Sequence, residues 1–248
     1  MCQVAVSVFV YLAGVSRNEI NVCCKDTKST KKKNHYLLCK SFFVLLTLCS
    51  LCLCGTIQFK MSLIQSLYFI ALLPHKQLAE RITGIKSDFA RNYGAFKALK
   101  VLPHITLQNP VMRSPDAEVE IHLRLQEFFE KYPPFEVELN GFSCFDNAKS
   151  KVIFVDVVKN EPLNLMHKEL VSFLQSELKF TPRESPYAFH PHITIAYRDL
   201  TSETFYKAWD YYKSQPFKGN FKVHTAYLLK HDYRQWQVLS MFPLKANK

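Results

Sequence analysis

Glycine is scarce in this chain, with 6 residues in 248, and proline contributes only 12. That scarcity excludes a collagen-like, low-complexity or disordered protein, and 48% hydrophobic residues leave ample material for a buried core. Cysteine is lacking in a different way. Cys2, Cys23, Cys24, Cys39, Cys49, Cys52 and Cys54 all precede residue 61, and only Cys144 follows. Residues 61–248 therefore cannot close an internal disulfide, which points to a reducing compartment such as the cytoplasm. Negative charge is also short, with 21 Asp+Glu against 32 Lys+Arg, a net charge of +11. Residues 1–60 hold 8 Lys+Arg and 2 Asp+Glu, which leaves 24 against 19 and a net +5 for residues 61–248. An excess of that size suits an anionic substrate but makes a weak case for an extended nucleic-acid surface. The length allows one or two domains.

The N-terminal stretch admits two readings. Residues 41–59 (SFFVLLTLCSLCLCGTIQF) are uncharged and apolar, and Lys31, Lys32, Lys33 and Lys40 lie just before them. Such a run is long enough to cross a bilayer as a helix, and the basic flank would hold the N-terminus in the cytoplasm. About forty polar and mixed residues come first, which argues against a cleaved signal peptide. On the other reading, residues 1–60 are upstream sequence and Met61 is the true start of a domain spanning 61–248. The first reading anchors the protein to a membrane through residues 41–59, and the second leaves it in the cytoplasm. The Cys49, Cys52 and Cys54 cluster sits in the apolar stretch without partner ligands, so it is not zinc-like.

From residue 67 the pattern is that of an α+β fold. Residues 67–73 form an apolar strand closed by Pro74, and Leu78, Ile82, Ile85 and Phe89 recur at helical spacing over 75–91. A strand at 101–107, a helix at 116–131 and strands at 135–139 and 152–158 follow. The order then repeats with a helix at 162–178 (Leu163, Met166, Leu170, Val171, Leu174) and a strand at 190–197. A helix at 202–212 and strands at 221–229 and 235–242 finish the chain. Each half runs strand, helix, then a strand carrying Pro-His-Ile-Thr, first at 103–106 and again at 191–194. The repeat predicts one duplicated unit folded into two lobes, with no linker between them.

Side chains alternate along a strand, so His104 and Thr106 face one side while Ile105 and Leu107 face the core. His192 and Thr194 stand likewise against Ile193 and Ile195. Two such strands side by side present two imidazoles and two hydroxyls to one cleft. Histidine transfers protons near neutral pH, and two can act as base and acid. Threonine hydroxyls can donate hydrogen bonds to phosphoryl oxygens.

PHITL at 103–107 and PHITI at 191–195 resemble the paired His-x-Thr/Ser-x signatures of the 2H phosphoesterase superfamily, in particular its 2′-5′ RNA ligase and cyclic phosphodiesterase branch. The resemblance covers residues 64–243 and none of residues 1–60. It implies two pseudo-twofold-related lobes, each an antiparallel sheet with helices outside, and an active-site cleft between them. It further implies His104 and His192 as the acid/base pair, Thr106 and Thr194 as phosphate ligands, and no metal or other cofactor. The implied reaction is metal-independent hydrolysis of a 2′,3′-cyclic phosphate RNA end or a 2′-5′ linkage, with RNA ligation as its reverse. Partners would be RNA or a small nucleotide, and the protein would act as a monomer without an obligate protein partner.

The sequence departs from the family pattern in one place. Many members follow the second motif with Leu-Ala-Arg, but Tyr197 stands at the arginine position and Arg198 is one residue later. Arg198 shares strand parity with His192 and is a candidate to reach the cleft, while Tyr197 is a candidate to stack on a base. This leaves open a small-nucleotide cyclic phosphodiesterase, acting on a cyclic phosphate of ADP-ribose or a 2′-5′ oligoadenylate, and a non-catalytic RNA-end binding module. Intact copies of both motifs argue against the last. His190 and His192 share a strand face but lack a third and fourth ligand at metal-binding spacing, so His190 is expected beside the site rather than on a metal. Lys97, Lys100 and Arg183 are candidates to guide an anion, and Tyr187, Phe189 and Trp236 to stack on a base, although solvated surface charge is the commoner role for the former and core packing for the latter. His75, His122, His167, His224 and His231 form no recognisable constellation.

Overall fold

An almost unbroken apolar run from Ser66 to Leu72 makes the first strand (β1), and its burial on both faces marks it as a central strand. The computed structural model describes residues 65–147, 150–185 and 188–245. The apolar run 41–59, Met61 and Tyr187 lie outside the described residues. After β1, helix α1 (Lys76–Tyr93) begins where the His75 ring accepts the Leu78 N–H at 3.4 Å. It ends at Gly94, whose φ of 71° suits glycine and lets the chain close on the Ala90 and Phe89 carbonyls. A 3-10 turn (Lys97–Lys100) then leads into β2 (Ile105–Arg113). Helix α2 (Ala117–Phe129) and a hairpin of β3 (Phe135–Asn147) and β4 (Ser150–Val157) follow. The second passage runs α3 (Glu161–Ser176), β5 (His192–Tyr197), α4 (Ser202–Tyr212), β6 (Lys218–Val223), β7 (Thr225–His231) and β8 (Trp236–Pro243).

All pairings are antiparallel, in the order β6-β3-β4-β5-β2-β1-β7-β8. The middle of this order is its narrowest point. β2 and β5 meet through one pair, Ile105 with Ile193, whereas the other neighbours share longer ladders. The fold is thus two four-stranded antiparallel sheets, hinged where the two Pro-His-Ile-Thr segments begin their strands. Helix α1 joins β1 to β2 but packs on β5 of the other sheet, beside α4. Helix α2 packs on β8, and α3 lies against α2, with the Phe128 and Phe173 rings 5.0 Å apart. Helix α1 thus crosses from its own strands to the β5 side, while α3 also touches β3.

The duplication extends to a defect in the strands. Ala71 pairs with Thr106 and Ile70 with Gln108, so Leu107 is an extra residue in β2. Phe154 pairs with Thr194 and Ile153 with Ala196, so Ile195 is an extra residue in β5. Both bulges directly follow the motif threonine. A bulge resets side-chain alternation. Accordingly Leu107 and Gln108 are both buried, as are Ile195 and Ala196.

Four expectations change. The strand expected over 101–107 begins only at Ile105, and the one expected at 190–197 only at His192. Pro103 and Pro191 lack the N–H a ladder needs, and each motif histidine bonds back to the carbonyl two residues earlier. The single strand expected at 221–229 is two strands broken at His224, with β6 pairing to β3 and β7 to β1. The third strand runs on to Asn147 rather than stopping at 139, because its outer half makes a hairpin with β4.

Ile193 is fully buried at the pair that joins the two sheets. Replacing it by Ala should cost about 2–5 kcal/mol in equilibrium urea unfolding, the usual range for a buried Ile truncation. A loss under about 1 kcal/mol would show that the junction is not packed as described.

Candidate active site

Extending the antiparallel register one residue either side of the Ile105–Ile193 pair sets His104 alongside Thr194 and Thr106 alongside His192. The motif residues are therefore interleaved, each histidine beside the other copy's threonine. His104, Thr106, Thr194, Tyr197 and Arg198 line one cleft of about 470 Å³. His192 lines an adjoining cavity of about 170 Å³, and Thr106 and Asn109 border both.

The two rings are held alike. His104 Nδ1 lies 2.6 Å from the Leu102 carbonyl, and His192 Nδ1 lies 2.7 Å from the His190 carbonyl. A carbonyl oxygen only accepts, so each Nδ1 carries the hydrogen and each Nε2 is the free position. A phenyl from the neighbouring strand backs each ring, Phe69 behind His104 at 5.0 Å and Phe154 behind His192 at 4.7 Å between centroids.

Both rings are half-buried. Burial pushes His104 down to about 4; the Leu102 carbonyl opposes this, and the nearby charges of Lys86 and His192 add to it. Burial also lowers His192, and the His190 ring lowers it further. The His190 carbonyl and the Asp156 carboxylate pull it the other way. The surroundings of the two rings thus differ in sign: an ammonium near His104, a carboxylate near His192.

The remaining candidates separate. Tyr197 and Arg198 both line the larger cleft, which simple alternation forbids for neighbours. The Ile195 bulge brings Tyr197 onto the Thr194 face. Arg198 lies past the strand end with φ 62°, in a tight turn closed by the Asp199 N–H on the Tyr197 carbonyl at 2.8 Å. Strand parity is therefore not what brings Arg198 to the cleft; the turn is. Trp236 lines the cleft, edge-on to Phe69 at 4.5 Å. Phe189 instead stacks on the buried His167 ring at 3.7 Å beside the smaller cavity. Lys97, Lys100 and Arg183 are exposed and line neither cavity. His190 contributes its carbonyl to His192, and its ring lies 3.6 Å from Asp156. Among the described residues no three His, Cys, Asp or Glu side chains are grouped to hold a metal ion. Among them, too, no helix is long and apolar enough to cross a membrane.

Sequence reading missed Asn109, His231 and Lys86, all of which line the larger cleft. Asn109 follows the first motif threonine at the same distance as Tyr197 follows the second, and only the Leu107 bulge turns it inward. His231 arrives at the end of β7 from a distant part of the sequence. Lys86 did carry a signal, a charged residue inside the apolar stripe of α1, four after Ile82 and three before Phe89.

Heteronuclear NMR should find both motif rings protonated on Nδ1 at pH 7, with His104 titrating near 4. Because the unfolded chain takes up that proton at about 6.5 and the folded one only near 4, stability should fall as pH drops through this window. A His104 titration at the ordinary value would show an open, solvated ring.

The family model of the 2′-5′ RNA ligase superfamily matches residues 74–235. A Bacillus anthracis protein provisionally named a phosphoesterase is 26% identical over 182 residues, 71% of this chain and 95% of that one. Among solved structures, TT0787 of Thermus thermophilus gives a TM-score of 0.54 at 17% identity, covering 73% of this chain and 100% of the other. E. coli LigT, solved with 3′-AMP, gives 0.52 at 19% identity, covering 73% and 99%. At these identities the structures share a fold, while the matched model spans both Pro-His-Ile-Thr segments, so the chain belongs to the 2′-5′ RNA ligase superfamily.

Proposed function

We propose that this chain is a metal-independent phosphodiesterase that hydrolyses 2′,3′-cyclic phosphate RNA ends or 2′-5′ linkages through His104 and His192. The observation that carries this reading is the matched pair of imidazoles, each tied at Nδ1 to a carbonyl and free at Nε2, beside two threonine hydroxyls. Thr106 and Thr194 donate hydrogen bonds to the non-bridging phosphoryl oxygens and fix the phosphorus between the rings.

His104, kept neutral by burial and by a neighbouring ammonium, is the base. Its Nε2 takes a proton from water as the water oxygen attacks phosphorus in line. His192, with Asp156 favouring its charged form, is the acid. The substrate anion joins Asp156 in offsetting the burial that lowers this ring, and its Nε2 proton passes to the leaving ribose oxygen as the P–O bond breaks. The product is a phosphomonoester with a free neighbouring hydroxyl. With a ribose 5′-hydroxyl in place of water, the same exchange joins RNA ends: the 5′-oxygen bonds to phosphorus as the cyclic P–O bond breaks and the freed ribose oxygen takes the His192 proton. Tyr197 and Trp236 offer ring faces to a base, and Arg198 offers charge to the substrate backbone. The catalytic domain on this reading is residues 61–248, acting as a monomer.

His104→Ala and His192→Ala should each lower kcat by about 10²–10⁴. Thr106→Val and Thr194→Val should cost less, about 10–10³-fold. Turnover should persist in EDTA. The assay is a panel of cyclic-phosphate RNA, 2′-5′ dinucleotides and ADP-ribose cyclic phosphate, and near-normal rates in either histidine variant would remove the mechanism.

A further inference from the structure

Lys86 sits where the period of α1 calls for an apolar residue, and it is only 2% exposed. Counting from the first buried leucine of each helix, Leu78 in α1 and Leu163 in α3, the matching position in the duplicate is the buried Val171. The ammonium is therefore one point at which the two halves of the fold differ beside this site. Its Nζ donates to the Ala98 carbonyl at 3.3 Å and to the Val101 carbonyl at 3.0 Å. An ammonium has three N–H groups, so one is left over. Among the described residues no carboxylate forms an ion pair with it. A buried, uncompensated ammonium is costly to a fold, yet this one lines the same cleft as His104, Thr106 and Thr194.

We propose that Lys86 is a substrate-positioning residue whose charge is completed by the substrate phosphate, holding that anion at the His104 end of the cleft. The proposal rests on the phosphodiesterase reading of this cleft and adds a third phosphate-directed group to the two threonines. Neutralisation by the substrate supplies the counter-charge that the protein omits. The same ammonium favours the neutral form of His104 and so makes the two pseudo-equivalent histidines unequal.

Two substitutions separate charge from scaffolding. K86M removes both charge and hydrogen bonds; K86Q keeps an amide that can donate to the Ala98 and Val101 carbonyls but removes the charge. Both variants should raise KM for adenosine 2′,3′-cyclic phosphate and weaken 3′-AMP binding in calorimetry by about 10–100-fold. Their kcat/KM should fall with the lost binding, and the acid limb of their kcat/KM profiles should move up as His104 regains proton affinity.

If K86Q alone restores normal binding, Lys86 is a brace for the 97–101 turn and the proposal fails. If both variants match wild type, it also fails. The unaltered protein gives a test that does not depend on variant folding. The other charged or titratable groups beside this ammonium include His104, His192, Tyr197, Arg198 and His231 in or beside the cleft, the exposed Lys97 and Lys100 on the adjacent turn, and the Asp199 carboxylate, whose Oδ2 accepts the Lys97 N–H at 2.8 Å. Burial lowers Lys86 to about 8, so 3′-AMP affinity should weaken as pH rises from 7 to about 9.5. Constant affinity over that range overturns the proposal. A wild-type protein that neither binds 3′-AMP nor turns over any panel substrate overturns the cleft reading itself, and this proposal with it.

Discussion

The site depends on how two strands from different halves of the chain are joined. β2 and β5 share a single antiparallel pair, Ile105 with Ile193, and everything around the cleft takes its position from that contact. A longer ladder would have brought the strands into one flat sheet and covered the motif residues. With a single pair, the two sheets diverge at the histidines, and the space between them opens as a cleft. The exchanged helix α1, packed on β5, secures this otherwise thin junction by burying apolar side chains across it. Stability and access are thus divided between two sets of residues, the isoleucines facing the helices and the histidines and threonines facing the opening.

Tautomer control follows from the same geometry. Each motif begins with proline, which cannot extend the ladder backwards, and the chain before each histidine curls so that a carbonyl two residues earlier meets Nδ1. The proline and the histidine therefore form one device: the first stops the strand, and the stop supplies the acceptor that frees Nε2. This gives Pro103 and Pro191 a physical reason to precede each histidine.

Much of this was legible in residue order. The apolar run of β1, the periodic stripes of α1 and α3, and the doubled Pro-His-Ile-Thr carried the elements, the duplication and four of the cleft residues. Tyr197 and Asn109 show where legibility ended. Strict alternation points both away from their threonine's face, and the bulges at Leu107 and Ile195 that reverse this have no mark in composition, since an extra leucine or isoleucine in an apolar strand looks like any other. Arg198 could be expected in the cleft but for another reason, because its left-handed backbone lies beyond the strand. The break at His224 was hidden for a similar cause: β6 and β7 are nearly continuous in sequence, and only their partners, β3 and β1, tell them apart.

A duplicated fold supplies two equal histidines, whereas hydrolysis needs one that accepts a proton and one that donates it. The motifs themselves cannot break that symmetry, because their residue types and ring anchors match. What differs lies one layer out. Asn109 and Pro110 on the first strand stand where Tyr197 and Arg198 stand on the second, so the segments that follow the two motifs offer the cleft different side chains. Asp156 favours a charged imidazole on the His192 side, and Lys86 opposes one on the His104 side. On the proposed assignment these two charges act in the same sense, a carboxylate near the donor and an ammonium near the acceptor. A field of that sense, set before substrate arrives, assigns the proton without further movement of the protein. On the proposed mechanism, the direction of proton transfer is therefore set by residues that the duplication did not copy.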